Sequence, residues 1–244
     1  MKIGSPSKTA LIFGGSRGIG AAAVERLAQD GYAVGFTYAN SEKPATALAE
    51  AIAGRGGEAL AIRADSADAA ALTSAVAQFV DQYGKIDLVL VNAGLFRMNT
   101  IEAVTLDELD SMLAVNVRGV YLSIQAAVPH TVDGGRVITI GSNVAIRTGF
   151  PGSSVYQMTK GAVAAMVKGV ALDLAPRRIT VNNIQPGPTD TDINAGSIDM
   201  LSEMSPLKRV AKPEEIAGLV SYLARDESRY MTGTSLTIDG GFTL

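Results

Sequence analysis

Short apolar runs alternate with longer segments of helical periodicity along the whole chain. The short runs predict seven β-strands, at residues 9–13, 33–38, 59–63, 88–91, 136–140, 179–184 and 236–238. The longer segments predict helices at residues 19–30, 43–53, 68–83, 106–128, 153–174 and from 213 onward. Strands that are apolar on both faces and alternate with helices are typical of a covered parallel sheet. Right-handed crossovers then predict a doubly wound α/β fold, with helices on both faces of a seven-stranded parallel sheet.

One long segment breaks this alternation. Residues 186–210 are rich in Pro, Gly, Asp and Met and show neither helical nor strand periodicity. Long irregular segments in compact domains are usually functional, and this one follows the sixth strand, where a cover over a substrate would begin. There is no internal repeat or linker, so we expect one domain over residues 1–244 with a substrate lid at about residues 188–210.

Composition narrows the chemistry that such a domain can perform. The chain of 244 residues contains no cysteine, which excludes disulfides, thiolate nucleophiles and thiolate metal sites. Its single histidine, His130, cannot build a multi-histidine metal site, and a Ser-His-Asp hydrolase would depend on it alone. We interpret His130 as a polar residue at a helix end, before a turn at residues 133–135. We expect no metal.

Charge and hydropathy argue against a macromolecular or lipid partner. The 21 basic and 24 acidic residues give a net charge of −3, without the basic face that nucleic acid or anionic lipid requires. Residues 1–8 lack the features of a signal peptide, and no apolar run approaches the roughly 20 residues that span a bilayer. We therefore expect a cytoplasmic protein with a small-molecule substrate and no nucleic-acid or membrane partner.

The turn between the first strand and the first helix is rich in glycine. It consists of Gly14, Gly15, Ser16, Arg17, Gly18, Ile19 and Gly20. Glycines permit a tight turn and let the backbone approach a pyrophosphate, which then rests on the helix N-terminus. A turn that needs a positive φ explains one glycine but not four in so short a loop. The sequence therefore predicts a dinucleotide-binding loop.

The end of the second strand indicates which dinucleotide is bound. Enzymes that use NAD usually carry an acidic residue here, which holds the ribose 2′-hydroxyl. In this chain the strand ends in Ala39, Asn40 and Ser41, and the next carboxylate is Glu42. Arg17 lies in the phosphate loop, where its guanidinium can face a 2′-phosphate. The combination favours NADP(H) over NAD(H).

A second group of polar residues predicts acid–base chemistry. Tyr156 and Lys160 are about one turn apart on the same face of a predicted helix. A nearby ammonium favours the phenolate, so we expect the pKa of Tyr156 to fall from about 10 toward working pH. Such a phenol donates a proton to a carbonyl oxygen or accepts one from an alcohol. Ser142 follows the fifth strand, at the sheet edge where α/β folds bind ligands, and can hydrogen-bond the same oxygen.

Asn116 is a polar residue in the apolar middle of the helix predicted at residues 106–128. Buried amides need hydrogen-bond partners. Asn116 can serve as a structural bridge, or it can hold a water in a proton relay to Lys160. The two roles are compatible, and the sequence alone leaves both open.

Together these motifs resemble the short-chain dehydrogenase/reductase family, whose domain is a Rossmann fold. The resemblance covers about residues 9–244 and includes four further motifs: Asp65-Ser66, Asn92-Ala93-Gly94, Pro186-Gly187 and Asp239-Gly240-Gly241. Within the family the chain is most similar to compact reductases related to 3-oxoacyl-carrier-protein reductase. The resemblance implies a single Rossmann domain and a homotetramer that uses the helices at residues 106–128 and 153–174 as an interface.

The resemblance also implies a role for each matching residue. A catalytic tetrad is implied for Asn116, Ser142, Tyr156 and Lys160. In it Tyr156 is the acid–base, Ser142 orients the substrate and Asn116 supports the proton relay. Lys160 lowers the pKa of the tyrosine and binds the nicotinamide ribose. Cofactor contacts are implied for Gly14, Ser16, Arg17, Gly18, Ile19, Gly20, Ala39, Asn40, Ser41, Asp65, Ser66, Asn92, Ala93, Gly94, Tyr156, Lys160, Pro186, Gly187, Thr189 and Thr191.

Two positions depart from the family pattern. Phe13 stands where the family usually has Thr, so one hydrogen bond of the phosphate loop must be replaced or lost. Ser142 and Tyr156 are one residue further apart than is common, which implies an extra residue in segment 143–154 beside the substrate. The second departure argues against assuming an acyl-carrier substrate.

We therefore predict an NADP(H)-dependent oxidoreductase that transfers a hydride between the nicotinamide and a ketone, an aldehyde or a secondary alcohol. Phe96, Val144, Phe150 and residues 193–204 indicate an apolar substrate pocket, although the same residues would also suit a core or a subunit contact. The alternative is a nucleotide-binding regulatory protein on the same scaffold, with little or no turnover. The intact tetrad argues against it, because a regulator does not need the Tyr–Lys pair.

Overall fold

The computed structural model describes residues 8–244, which form a parallel sheet flanked by helices. The seven strands are β1 (Lys8–Phe13), β2 (Tyr32–Tyr38), β3 (Ala59–Arg63), β4 (Ile86–Val91), β5 (Thr131–Ile140), β6 (Thr180–Pro186) and β7 (Ser235–Ile238). Their order is β3-β2-β1-β4-β5-β6-β7, and every neighbouring pair is parallel. This order confirms the predicted doubly wound, Rossmann-like fold. Residues 1–7, on which the expected lack of a signal peptide rests, lie outside the described residues.

The helices predicted from residues 19, 43, 68, 106, 153 and 213 all begin within one residue of those positions. The helices of the structure are α1 (Gly18–Gln29), α2 (Glu42–Gly54), α3 (Ala69–Tyr83), α4 (Leu106–Leu113), α5 (Val120–Ala127), α6 (Ser154–Leu174), α7 (Ile198–Met204) and α8 (Pro213–Leu223). Asp68 caps α3, because its carboxylate accepts hydrogen bonds from the N–H groups of Ala70 and Ala71. Pro213 opens α8, where its fixed φ suits a first helical turn.

Two apolar cores cover opposite faces of the sheet. On one face α3, α5 and α6 pack through residues such as Phe79, Ile124 and Val167. On the other face α1, α2 and α8 pack through residues such as Leu27 and Val220. Successive residues of β1 belong alternately to the two cores, so this strand is buried on both faces, as its apolar run predicts.

The helix predicted at residues 106–128 is interrupted in the structure. A π-helical segment, Ala114–Gly119, joins α4 to α5 and contains Asn116. Gly119 lets this segment approach the loop after β3, because a Cβ there would lie 2.3 Å from the carbonyl oxygen of Ser66. A π-helical turn inserts one residue and so changes the direction of the side chains it carries. The apolar periodicity of the sequence did not reveal it.

Smaller differences concern β5, β6 and the segment predicted as irregular. β5 begins at Thr131, and the turn predicted at residues 133–135 is instead an irregular stretch of this strand, where the pairing with β4 shifts register. β6 is buried on both faces but is not apolar, since it contains Asn182, Asn183 and Gln185. The segment at residues 186–210 contains the short helix α7.

Candidate active site

A cleft of about 710 Å³ opens beside the carboxyl ends of the strands, next to the reversal of strand order between β1 and β4. Ligands of open α/β sheets bind at such a reversal. The residues predicted from sequence that line it are Gly14, Ser16, Arg17, Gly18, Ile19, Ala39, Asn40, Ser41, Asp65, Ser66, Asn92, Ala93, Gly94, Ser142, Tyr156, Lys160, Pro186, Gly187, Thr189 and Thr191. Two predicted residues, Gly20 and Asn116, lie behind this lining.

The phosphate loop is held by close backbone packing. Gly14 has a φ of +82°, and a Cβ there would lie 2.7 Å from the backbone of Ala93. The Asn92 side chain donates a hydrogen bond of 2.7 Å to the Gly14 carbonyl oxygen. The Gly14 N–H donates to the Thr37 hydroxyl at 2.9 Å. Thr37 of β2 thus supplies the hydrogen bond that Phe13 cannot, so the loss expected at position 13 is compensated.

The first turn of α1 is suited to an anion. Its N-cap residue, Arg17, makes no side-chain capping hydrogen bond, and the first turn contains no acidic residue. Unpaired N–H groups at a helix N-terminus bind phosphate well. Gly20 allows the loop to fold back onto the helix, because a Cβ there would lie 2.0 Å from the Gly14 carbonyl oxygen. These features fit the pyrophosphate of a dinucleotide.

Four charged side chains line the cleft in the described part of the chain: Arg17, Asp65, Lys160 and Asp192. Asp65 is engaged in its own turn, where its carboxylate accepts a hydrogen bond of 2.9 Å from the Ala67 N–H. Arg17 forms an ion pair with Asp192, at 3.4 Å between Nη1 and Oδ2. Asp192 is not among the predicted site residues, because no local pattern brings residues so far apart in the chain together.

Three of the predicted catalytic side chains meet in the cleft. Ser142 follows β5, while Tyr156 and Lys160 lie in the first half of α6. Lys160 is buried, and its ammonium donates a hydrogen bond of 3.1 Å to the Ile140 carbonyl oxygen. The same ammonium lies 5.6 Å from the centre of the Tyr156 ring. The Ser142 hydroxyl accepts a hydrogen bond of 3.3 Å from the Val144 N–H.

The predicted pKa shift of Tyr156 is wrong in direction. Burial raises the pKa of its phenol to about 12, and the Ser142 side chain opposes only part of this rise. Burial also lowers the pKa of the Lys160 ammonium to about 8. Loss of water therefore dominates the charge attraction on which the prediction rested. In this structure Tyr156 is a neutral phenol at neutral pH.

Asn116 forms a structural bridge behind the cleft. It is fully buried, its Oδ1 accepts a hydrogen bond of 2.7 Å from the Leu95 N–H, and its Nδ2 donates to the Leu95 carbonyl oxygen at 2.8 Å. Nδ2 also lies 3.1 Å from the hydroxyl of Thr159, the residue before Lys160. These bonds connect the π-helical segment to the loop after β4 and to α6. The relay role remains a prediction.

The remaining part of the cleft combines apolar side chains with uncharged polar residues, namely Asn143, Thr148, Ser153, Asn194 and Ser197. The Phe96 ring meets the Tyr156 ring edge-on, with 4.8 Å between ring centres. The predicted pocket residues that line this part are Phe96, Val144, Phe150, Ile193, Met200 and Leu201. Met98 and Phe242 also line it and were missed. A signal existed for Phe242, because it directly follows the Asp239-Gly240-Gly241 motif.

The loop with the extra residue is anchored to its neighbour across the pocket. The Asn99 N–H donates a hydrogen bond of 3.0 Å to the Gly152 carbonyl oxygen. The Asn99 side chain donates to the Glu108 carboxylate at 2.8 Å, in the first turn of α4. The loop before α6 and the loop after β4 therefore form one continuous wall.

Other site types find no support in residues 8–244. In that part of the chain, His, Asp and Glu side chains do not gather in any group of three or more that would hold a metal ion. Nor does any helix there combine the length and apolar character needed to cross a bilayer. His130 is exposed just before β5, whereas Ser142 follows the opposite end of this strand. The two cannot form a hydrolase pair.

Known proteins resemble this chain over nearly its full length. A family model described as enoyl-(acyl carrier protein) reductase matches residues 14–243. A solved short-chain dehydrogenase/reductase from Serratia marcescens BCRC 10948 is 52% identical, with a TM-score of 0.95 and coverage of 98% of this chain and 99% of that chain. A short-chain dehydrogenase from Burkholderia cenocepacia J2315, solved in complex with NADP, is 42% identical, with a TM-score of 0.94 and coverage of 97% and 98%.

One similar protein is named for ligand binding and not for an oxidoreductase activity. The cyclic-di-GMP-binding biofilm dispersal mediator protein of Escherichia coli K12 is 40% identical over 238 residues, which are 96% of this chain and 97% of the relative. The family model covers nearly all of the described sheet and helices, and the fold of the solved Serratia relative is nearly the same as that of this chain. The chain therefore belongs to the short-chain dehydrogenase/reductase family of oxidoreductases.

Proposed function

We propose that the chain is an NADP(H)-dependent oxidoreductase that reduces a ketone or aldehyde, or oxidises the corresponding alcohol. One observation carries this proposal: Ser142, Tyr156 and Lys160 meet in a cleft whose other wall is an uncapped helix N-terminus. Such a cleft brings an acid–base group beside a site for a dinucleotide.

Tyr156 is the proposed acid–base. Its phenol keeps its proton at neutral pH because burial raises its pKa to about 12, so it can act as an acid toward a carbonyl oxygen. When bound, NADPH supplies the hydride that the carbonyl carbon receives. The Ser142 hydroxyl orients the carbonyl oxygen, and this oxygen takes the phenol proton to give an alcohol. Lys160 stabilises the resulting phenolate until solvent returns the proton.

The residues predicted to contact the cofactor form the proposed NADP(H) site. The N-terminus of α1 would hold the pyrophosphate, and Arg17 would face the 2′-phosphate. Asp65 and Ser66 would meet the adenine, and Pro186 and Gly187 the nicotinamide carboxamide. Two observations support NADP(H): the Burkholderia relative was solved with NADP, and residues 39–41 offer no carboxylate to a ribose hydroxyl.

The proposed substrate is an uncharged carbonyl compound or secondary alcohol. The cleft beside Tyr156 is lined by apolar side chains, among them Phe96, Phe150 and Phe242. Desolvation of a charged substrate there would be unfavourable, because the apolar side chains offer it no partner and the polar residues around them, such as Asn143 and Ser153, carry no charge. Residues 188–210 would act as a lid, since α7 brings Met200 and Leu201 over this part of the cleft.

The alternative is binding without turnover. The E. coli relative is named for binding cyclic-di-GMP, which makes a regulatory role worth testing here. Our proposal favours turnover because Tyr156, Lys160 and Ser142 are all retained, and a regulator would not need them. Titration with cyclic-di-GMP in parallel with NADPH separates the two. Binding of cyclic-di-GMP together with failure to reduce any ketone would favour the alternative.

A homotetramer is also part of the proposal. Met158, Ala165 and Leu172 are exposed and lie seven residues apart on α6, which places them on one side of this helix. Tyr121 of α5 is also exposed. An exposed apolar stripe on a long helix suits a two-fold contact between copies. The expected cytoplasmic location stays a prediction.

Replacement of Tyr156 by Phe tests the function. The variant keeps the ring contact with Phe96 but has no proton to donate, so NADPH reduction of a panel of ketones, aldehydes and diketones should fall by at least about 10²-fold. NADPH affinity, measured by fluorescence titration, should change little. Tyr230→Phe, at a fully exposed position, is the matched control. Comparable turnover in Tyr156→Phe and wild type would refute the assigned acid–base.

A further inference from the structure

The cation proposed to recognise the 2′-phosphate already has a partner inside the protein. Arg17, in the phosphate loop, pairs with Asp192 at the start of the lid, with 3.4 Å between Nη1 and Oδ2. Both side chains are largely exposed, at 69% and 76%. Both residues line the cleft. Pairs this exposed are weak enough to exchange for another anion.

The position of Asp192 is fixed by the backbone around it. The Asn194 side chain donates a hydrogen bond of 2.8 Å to the Thr189 carbonyl oxygen, and the Asn194 N–H donates to the Thr191 carbonyl oxygen at 2.9 Å. Thr191 packs against Gly18, where a Cβ would lie 3.1 Å from the threonine methyl group. The backbone that carries Asp192 is therefore held beside the phosphate loop, within reach of Arg17.

Of the charged groups that line the cleft, Arg17 is the one available to bind the 2′-phosphate. Lys160 is buried against Ile140, and Asp65 is engaged with the Ala67 N–H. Among the charged side chains that line the cleft in residues 8–244, Arg17 is thus the exposed cation. A carboxylate that pairs with this cation lowers its attraction for a second anion.

We propose that Asp192 sets the discrimination between NADPH and NADH by competing with the 2′-phosphate for Arg17. NADPH must displace the Asp192 carboxylate from the guanidinium, whereas NADH, with a ribose hydroxyl at that position, leaves the pair in place. Asp192 therefore weakens NADPH binding selectively and reduces the preference for the phosphorylated cofactor. The inference rests on the proposed NADP(H) site.

The test compares the dissociation constants of NADPH and NADH by fluorescence titration. Asp192→Asn should bind NADPH about two- to five-fold more tightly, the range expected for removal of one exposed charge contact, with NADH changed by less. Asp190→Asn is the matched control, because Asp190 is exposed on the same segment but does not line the cleft. Its NADPH affinity should stay near that of wild type.

A double-mutant cycle with Arg17 tests whether Asp192 acts through this arginine. Arg17→Ala should weaken NADPH by at least about ten-fold, as expected for loss of a charge-assisted hydrogen bond, and NADH far less. If competition operates, Asp192→Asn gains little NADPH affinity once Arg17 is absent. A gain of the same size in both backgrounds would overturn the inference, because Asp192 would then act on the phosphate without involving Arg17.

The outcomes separate this inference from the proposed function. Wild-type protein that binds NADH as tightly as NADPH would contradict the proposed cofactor. A clear wild-type preference for NADPH, combined with weaker NADPH binding in Asp192→Asn, would overturn the inference alone, since Asp192 would then be orienting Arg17. Equal gains in Asp192→Asn and Asp190→Asn would overturn it as well, because only net charge would matter.

Discussion

The ammonium of Lys160 is buried and forms no ion pair with a carboxylate of residues 8–244, and this destabilises the folded chain. Burial lowers its pKa from 10.5 to about 8. Between these two pH values the unfolded chain holds a proton that the folded chain has released, so the free energy of unfolding rises as pH rises from about 8 to about 10.5. Tyr156 has the opposite effect above about pH 10. Its pKa is raised to about 12, so the folded chain keeps a proton that the unfolded chain has lost, and the free energy of unfolding falls as pH rises.

Replacement of Lys160 by Met should therefore stabilise the protein while it abolishes turnover. We expect a gain of about 1–2 kcal/mol in the free energy of unfolding at pH 7, because the desolvation cost of a buried charge exceeds the lost hydrogen bond to Ile140. Denaturant titration at pH 7 and pH 10 measures the effect, which should shrink at the higher pH. Lys168→Met, at an exposed position on the same helix, is the control. A less stable Lys160→Met protein at pH 7 would contradict the burial argument.

The strand next to one edge of the sheet, β6, carries amides where apolar residues were expected. Asn183 of β6 is fully buried, its Oδ1 accepts a hydrogen bond of 2.9 Å from Thr139 of β5, and its Nδ2 donates to Ser235 of β7 at 3.0 Å. Its amide also packs against Gly141, where a Cβ would lie 2.6 Å from the amide oxygen. This row of hydrogen bonds lies directly beneath the turn that carries Ser142, so β6 supports the site from below.

Replacement of Asn183 by Ala should reveal how much this row of hydrogen bonds contributes to the stability of the fold. Two hydroxyls would lose a partner in a buried layer, which should lower the free energy of unfolding by about 1–3 kcal/mol. Thr237→Ala, at an exposed position of β7, provides the comparison. Urea unfolding followed by circular dichroism measures both variants. The same midpoint for Asn183→Ala and Thr237→Ala would mean that water replaces the amide at no cost.

These elements also show which features can be read from a sequence. The strands and the glycine loop were predictable because parallel sheets bury apolar runs and because a phosphate turn needs glycine in adjacent positions. The π-helical segment around Asn116 was not, since one inserted residue leaves the local apolar pattern nearly unchanged. The amides of β6 and the ion pair of Asp192 depend on partners distant in the chain. The pKa of Tyr156 depends on burial, which local spacing does not report.

The molecule presents an apolar stripe on α6 that an isolated chain would expose to water. Leu172 is 77% exposed and shares this side of the helix with Met158. Gly161 and Gly169 lie on the same helix, and a Cβ at either would meet nothing within 4 Å. Small residues between exposed apolar ones allow two helices to approach closely, which agrees with the proposed tetramer.

Replacement of Leu172 by Lys should weaken that assembly. The two-fold symmetry of such a contact would place the new charge near its own copy, so repulsion acts in addition to lost burial. We expect sedimentation velocity to show dimers or monomers where wild type forms tetramers. Leu207→Lys, which makes the same change at an exposed position of the lid, should leave the assembly intact. An unchanged tetramer in Leu172→Lys would place the interface elsewhere.

The hydroxyl of Thr37 anchors the phosphate loop from β2, in place of a threonine at position 13. Positions 13 and 37 therefore behave as one unit in any recombination between this chain and a relative. A chimera that takes β1 from here and β2 from a protein anchored by a threonine at position 13, without one at position 37, would inherit neither anchor. For the same reason, a graft of the end of β2 that is meant to change the cofactor preference must begin after Thr37.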